Sequence, residues 1–367
     1  MNTKLLESAS QKINICSFFS GLGFLDLGFE KEGYEIKFVN EIHTPFLDAY
    51  RFARKKMKVV DSSFYSNASI EELLSKKDKA ADETIRAVVN DQLSMFIGGP
   101  PCPDFSVAGK NKGKEGENGR LSQTYIDLIC MYEPTFFLFE NVKGLWRTKR
   151  HREFYDSLKL KLKKKGYVLT DRLTNALEFG VAQDRDRIFL VGVKKEYIQT
   201  LGLKNIDDFN WEKHMRYAGA RNMPKKSMGS STLLPQPLSQ ELTIQYWFDK
   251  NKVESHPNST HGFTPRAALK RFETIIEGDD SKKSFKRLHR NRYSPTAAYG
   301  NNEVHIHPVL ARRITAAEAL SIQSLPKNYQ LPPYMTLTNM FKGIGNGVPF
   351  LLAKGLAKTI REYFVMK

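Results

Sequence analysis

The apolar run Met95-Phe96-Ile97 leads straight into Gly98-Gly99-Pro100-Pro101-Cys102-Pro103-Asp104-Phe105-Ser106, and that junction narrows the choice of fold sharply. The run has the length and bounding glycines of a buried strand end. Two glycines allow close backbone approach, and three prolines around one cysteine stiffen the turn. A thiol fixed at the mouth of a sheet suits a nucleophile whose pKa nearby dipoles or cations lower. The competing reading is a proline-rich turn around an inert buried cysteine.

Lysine and arginine outnumber aspartate and glutamate by 57 to 40, a net charge of +17. Such an excess points to a polyanionic partner, most often nucleic acid, rather than merely a basic surface. Three cysteines, Cys16, Cys102 and Cys130, are too few and too spread for a disulfide framework or a zinc knuckle. A reducing cytoplasm is the expected home. No apolar run reaches the roughly 20 residues of a membrane span, and Met1–Lys12 lacks the apolar core of a secretory signal. A chain of 367 residues buries a sizeable core and accommodates two domains.

In chain order, Ile13–Phe19 reads as a buried parallel strand that runs into Ser20-Gly21-Leu22-Gly23 and then a helix. A glycine-rich turn there brings backbone N–H groups close to a nucleotide-like ligand. The glycines at 21, 23 and 28 miss the G-x-G-x-x-G spacing, which disfavours a hydride enzyme. A second strand, Ile36–Val39, ends at Asn40-Glu41, where open α/β folds grip a ribose diol; a helix-start acid is the alternative. A faint third strand closes near Asp61, and residues 69–89 carry a helical pattern broken near Lys76–Ala80.

Beyond the thiol, residues 109–120 hold glycines and charges with almost no apolar anchors. Beside a nucleophile, such a segment reads as a lid whose Lys110, Lys112 and Arg120 meet phosphates, rather than as a solvated insertion. The strand Phe136–Phe139 ends at Glu140, a carboxylate aimed into the ligand crevice, and a strongly basic helix follows over Glu153–Lys165. In Gln183-Asp184-Arg185-Asp186-Arg187, alternation places two guanidinium groups on one strand face, suited to a carbonyl or phosphate oxygen or to an edge-strand charge ladder. From Lys194 to Arg292 the βα rhythm stops. Arg271, Lys286, Arg287, Arg290 and Arg292 concentrate charge there, with Phe272, Phe285 and Tyr293 interleaved, as in a small nucleic-acid-facing module. Thr315-Ala316-Ala317-Glu318 then reads as a capping box, and Gly343–Gly347 as a turn before the last helix, Val348–Phe364.

This ordered series resembles the DNA cytosine carbon-5 methyltransferases over nearly the whole chain outside residues 194–293. The motifs stand as Phe19-Ser20-Gly21-Leu22-Gly23, Pro100-Pro101-Cys102, Glu140-Asn141-Val142, Gln183-x-Arg185-x-Arg187, Arg312-x-x-Thr315 with Glu318, Gln323-x-x-Pro326 and Gly345-Asn346-x-Val348-Pro349. The resemblance implies a Rossmann-like α/β sheet with helices on both faces and a smaller, irregular target-recognition domain. It divides the chain into a discontinuous catalytic domain, 1–193 with 310–367, and a recognition domain, 194–309. It also implies S-adenosylmethionine as methyl donor, S-adenosylhomocysteine as product and no metal. Phe19 to Gly23, Glu41, Asp61, Pro100, Asn346 and Val348 would surround the donor. Ser17, Phe24, Pro103, Ala317 and Gly343 depart from the family pattern, which usually has an acid, a glycine, a glutamine, an arginine and a glutamine there.

The implied reaction needs these residue types. Carbon-5 of cytosine is a poor nucleophile, so the Cys102 thiolate adds to carbon-6 and turns the ring into an enamine. Glu140 holds N3 and the exocyclic amine, while Arg187, supported by Arg185, holds O2 or an adjacent phosphate. A duplex hides these atoms, so the base must leave the stack, with the lid (including Ser106) and Thr296 beside it. The partner is double-stranded DNA. A prokaryotic modification enzyme, expected monomeric, leaves room for a restriction endonuclease acting separately. The rivals are transfer RNA as substrate, whose branch carries a Cys-Phe-Thr signature missing here, and a catalytically silent DNA-binding regulator. A metal hydrolase built on His305 and His307 is the poorest, for want of further ligands.

Overall fold

In the computed structural model the described residues are 12–91, 93–101, 117–220, 239–264, 269–282, 284–296, 299 and 304–366. Seven strands form one sheet in the order β3-β2-β1-β4-β5-β7-β6. They span Asn14–Phe18, Glu35–Asn40, Phe64–Ser66, Ser94–Gly98, Phe136–Val142, Tyr167–Asn175 and Asp186–Lys194 for β1 to β7. The first five run parallel, and β7 lies antiparallel between β5 and β6.

Alternation explains why both faces are covered. Met95 and Ile97 of β4, Phe136 and Leu138 of β5, and Phe189 and Val191 of β7 enter one apolar core. Phe96, Phe137, Phe139, Ile188 and Leu190 enter the other. With a side-chain period of two, near-continuous apolar strands need helices on each side. One layer comprises the helices Phe24–Glu30, Thr44–Lys56 and Phe350–Phe364. Opposite lie Ile70–Leu74, Lys79–Val89, Glu117–Tyr132 and Lys149–Lys164. The sheet is the Rossmann-like α/β architecture expected, and its strand order reverses between β1 and β4. Open α/β sheets bind ligands at such a switch point, beyond the carboxyl ends of the strands.

Four expectations change. The third strand does not close at Asp61 but starts later, at Phe64, because Phe64 and Tyr65 are the first residues to pair with β2. Residues 343–346 are helical, as the end of Leu337–Asn346, since tertiary packing overrides glycine's turn preference. Helix also begins at residue 117, so the end of the expected lid belongs to Glu117–Tyr132. Finally, the chain keeps packing against the sheet past residue 193: Ile198, Ile206 and Phe209 share the core of Phe364.

A third core couples the two ends of the chain. Leu22, Phe24, Leu27 and Phe46 pack with Ile244, Phe248 and residues of the helices Ala316–Ile322, Leu337–Asn346 and Phe350–Phe364. The helix Ala316–Ile322 starts at the expected box: Thr315 Oγ1 accepts from the Glu318 N–H at 3.3 Å, and Glu318 accepts from the Thr315 N–H at 2.8 Å.

Candidate active site

The turn after β1 is held in an unusual backbone state. Phe19, Gly21 and Gly23 have φ of 53°, 56° and 75°. A bulky residue in the left-handed region costs on the order of 1–3 kcal/mol and persists only where its surroundings enforce it. Three contacts do so. The Gly21 N–H donates to Glu41 at 2.9 Å, Tyr329 Oη donates to the Leu22 carbonyl at 2.6 Å, and Arg54 donates to the Gly23 carbonyl at 3.0 Å. The other Glu41 oxygen accepts from the His43 N–H at 2.8 Å. Burial pushes the Glu41 carboxyl up, opposed by those two N–H groups and by Lys342.

This cradle fits an adenosyl ligand. A Cβ on Gly21 would meet nothing within 4 Å, so space opens in front of the turn. The Ser20 hydroxyl is buried with no partner among the described residues. Ile42, next to Glu41, leaves an apolar side chain 62% exposed. Asp61 is elsewhere. It is exposed, precedes β3 on the side away from the crevice, and accepts from the Ser63 N–H at 3.1 Å and from Tyr65 Oη. At the crevice end of β3 stand Ser66 and Asn67, whose amide donates to the Glu41 carbonyl at 2.8 Å. Sequence reasoning did not single out Ile42 or Asn67; for Ile42 the available signal was adjacency to Glu41 at a strand end.

Of the departures from the family pattern, Ser17, Phe24, Ala317 and Gly343 are accommodated by packing, and Pro103 lies outside the described residues. A Cβ on Gly347 would lie 2.3 Å from the Phe24 ring, and one on Gly343 would lie 2.8 Å from Leu22. The bulk at position 24 is therefore matched by its absence at 347. That contact brings Asn346, an exposed residue at the end of its helix, beside the turn, while Val348 is buried in the core. Ser17 donates at 2.9 Å to Asp26, which is fully buried. Ala317 is itself buried in the core.

A second set assembles around β4, β5 and β7. Val142 pairs with Arg187 and Glu140 with Phe189, so Glu140 and Arg187 are diagonal neighbours on one face. Their side chains meet, Arg187 Nε to Glu140 Oε1 at 2.9 Å. Gly99 stands against the other oxygen: a Cβ there would come within 2.5 Å of Glu140 Oε2. Burial raises the Glu140 pKa, while Arg187 and Arg185 pull it back. The carboxyl is thereby suited to hold or give a proton at a ring nitrogen. Arg185, wholly enclosed, donates to the Asn346 carbonyl at 3.3 Å and so ties this set to the glycine turn. Burial and the neighbouring Arg187 charge drive its pKa down.

Pro100 is buried at the head of this set, but Cys102, Ser106, Lys110 and Lys112 lie outside the described residues. Thr296 donates at 2.6 Å to the Asp184 carbonyl, beside the arginine strand. Arg120 is exposed on its helix, 3.4 Å from Glu71. Asn141 is buried with its amide nitrogen unpartnered among the described residues.

The expected arginine face of the recognition region is largely internal. Arg287 is 5% exposed and donates to the carbonyls of His307 and Pro308 at 3.2 and 3.1 Å, and to that of Phe272. Arg292 is buried 4.0 Å from Asp280, and Arg290 chelates Glu277 at 3.1 Å through two nitrogens. Arg271 is exposed over the Phe285 ring at 4.1 Å, and Lys286 is half-buried in β8 (Lys286–Arg287), which pairs with β9 (His305–Ile306). Where regular structure is scarce, buried carbonyls need donors, and a guanidinium supplies five. Arg287 thus ties buried carbonyls together, and Arg292 is buried near Asp280.

His305 is buried and held neutral, its pKa pushed down to about 3, and no metal-binding group occurs among the described residues. No helix of the described residues is long and apolar enough to cross a membrane.

Comparison with known proteins follows the same lines. The description C-5 cytosine-specific DNA methylase matches residues 13–362. Type II methyltransferase M.NmeDI of Neisseria meningitidis serogroup C is 55% identical over 364 residues, covering 98% of this chain and 86% of the relative. Type II methyltransferase M.FnuDI of Fusobacterium nucleatum is 28% identical, covering 95% and 94%. Among solved structures, a DNA modification methyltransferase encoded within an E. coli prophage superposes with a TM-score of 0.68 at 21% identity, covering 96% and 99%. Spodoptera frugiperda DNMT2 does so at 0.57 and 17%, covering 95% and 99%, a likeness of fold. The chain belongs to the C-5 cytosine-specific DNA methylase family and is an enzyme, a DNA cytosine methyltransferase.

Proposed function

We propose that the two residue sets form one active site, in which Cys102, Glu140 and Arg187 activate a cytosine extruded from duplex DNA. The observation that carries this reading is the Glu140–Arg187 pair at 2.9 Å, seated against Gly99 three residues before Cys102. The Cys102 thiolate adds to carbon-6 of the ring. Glu140 then donates toward N3 as electron density reaches it, and Arg187 holds the O2 carbonyl. Ser20, the Gly21 backbone, Glu41, Ile42 and Asn346 would hold S-adenosylmethionine. When bound, it supplies an electrophilic methyl group on its sulfonium. Loss of the carbon-5 proton and release of the cysteine complete the cycle.

Target reading is assigned to the part of residues 194–309 that lies beyond the packing of Ile198, Ile206 and Phe209 on the sheet. The enzyme is read as a monomer of the bacterial cytoplasm, with any cognate endonuclease acting separately. Expression in a host lacking cytosine methylation, followed by bisulfite sequencing of its genome, tests the function. Protected cytosines within one short recurring sequence are expected. Complete conversion with folded protein present refutes DNA as the substrate.

A further inference from the structure

With Arg287 and Arg292 internal and Arg290 paired, these three leave room for a further basic surface toward DNA. The stretch that follows Glu140 supplies one. After β5, one helical turn, Gly144–Arg147, leads through Thr148 into the helix Lys149–Lys164. Arg147, Thr148, Lys149 and Arg150 are consecutive and all exposed, at the crevice end of the sheet. The junction is fixed rather than loose: His151 is buried with Nδ1 3.3 Å from the Gly144 carbonyl, and Arg152 stacks on Trp146 at 3.6 Å.

The local electrostatics run against helix stability. The first turn carries Lys149, Arg150 and Arg152 and no acidic residue, at the end where the helix dipole disfavours cations. Nearby carboxylates are engaged by other cations, Asp186 by Lys143 at 3.2 Å and Asp156 by Arg152 at 3.3 Å. Neither Arg147 nor Lys149 has an ion-pair partner among the described residues. Cations kept in an unfavourable place, exposed beside a site that must hold a polyanion, serve that polyanion.

We infer that the exposed run Arg147–Arg150 is a phosphate-binding rim of the catalytic domain, which grips the DNA backbone beside the extruded cytosine. It rests on the reading of the chain as a DNA methyltransferase. Its contacts fix position rather than sequence, so their signature is salt dependence.

The test compares two doubly neutralised proteins. R147Q/K149Q removes the rim. K163Q/K164Q removes two exposed cations from the last turn of the same helix, at the opposite end of the sheet. Binding to fluorescein-labelled duplex DNA is followed by anisotropy across a salt series, and donor affinity is measured by calorimetry without DNA. Each lost phosphate contact lowers the slope of log K against log salt by about 0.9. R147Q/K149Q is expected to lose between one and two such units with donor affinity unchanged, while K163Q/K164Q keeps the wild-type slope. A wild-type slope in R147Q/K149Q, or an equal loss in both, overturns the inference. Wild-type protein that fails to bind duplex DNA overturns the functional reading instead.

Discussion

Asp26 should become a liability to the fold as pH rises, and its replacement by asparagine should show by how much. The carboxylate is fully buried beneath the glycine turn, where it accepts from Ser17 Oγ at 2.9 Å and Tyr50 Oη at 2.9 Å. Arg54 lies close, 1% exposed, with its guanidinium 3.7 Å from the Tyr50 ring centroid and 3.0 Å from Glu30. Desolvation dominates all the same, and the Asp26 pKa rises from 3.8 to about 6. The favourable Arg54 charge and the two hydroxyl donors do not cancel it.

The sign follows directly. The folded state holds the proton more tightly than the unfolded chain, so stability is greatest below the unfolded value and falls as pH rises through about 6. A shift of roughly two units is worth about 3 kcal/mol, a sizeable part of a total of about 5–15 kcal/mol. Asp26→Asn keeps the shape and abolishes the titration. Whatever the lost hydrogen bond costs, that cost is common to both ends of the pH range. The stability of Asp26→Asn relative to wild type should therefore improve by about 2.5 kcal/mol between pH 4 and pH 8. Urea unfolding at the two pH values measures this difference. A flat difference, or one of opposite sign, would show that Arg54 and the two hydroxyl donors set the charge state of Asp26 and would refute the dominance of desolvation.

Three further expectations concern the site and its supports. Cys102→Ala should abolish methylation while calorimetry still detects donor binding; substantial turnover would sink the covalent route. Arg287→Met strips donors from the buried carbonyls around residues 272 and 307–308, and should cost about 2–4 kcal/mol in urea unfolding. A cost under about 0.5 kcal/mol would return Arg287 to the surface role its sequence suggested. Gly347 has an ordinary φ of −62°, so any penalty of Gly347→Ala comes from the Phe24 ring alone. It should cost about 1–3 kcal/mol and weaken donor binding, and Phe24→Leu should recover most of both. Additive effects in the double variant would separate the two positions.

What the sequence made legible depended on where each group's partners lie along the chain. The parallel strands were readable because burial on both faces leaves near-continuous apolar runs, and Glu41 and Glu140 were readable because they end such runs. The ion pair of Glu140 with Arg187 was not. It requires β7 to enter between β5 and β6 in antiparallel register, which two separate apolar runs do not specify. β3 has three residues, too few for alternation to show where the strand lies relative to Asp61.

The glycine-rich segment around Gly343 and Gly345 failed for a different reason. Intrinsic preference says turn, but the close approach of Leu22 and Phe24 rewards residues without side chains in a helix. The arginines teach the sharpest lesson. Arg287, Arg290 and Arg292 look alike as letters, yet one ties carbonyls, one chelates a glutamate and one is buried near an aspartate. Charge counted along a chain measures what it could attract, and burial decides what each cation is free to touch. By that rule the exposed Arg147 and Lys149 are better placed to meet DNA than the buried Arg287 and Arg292.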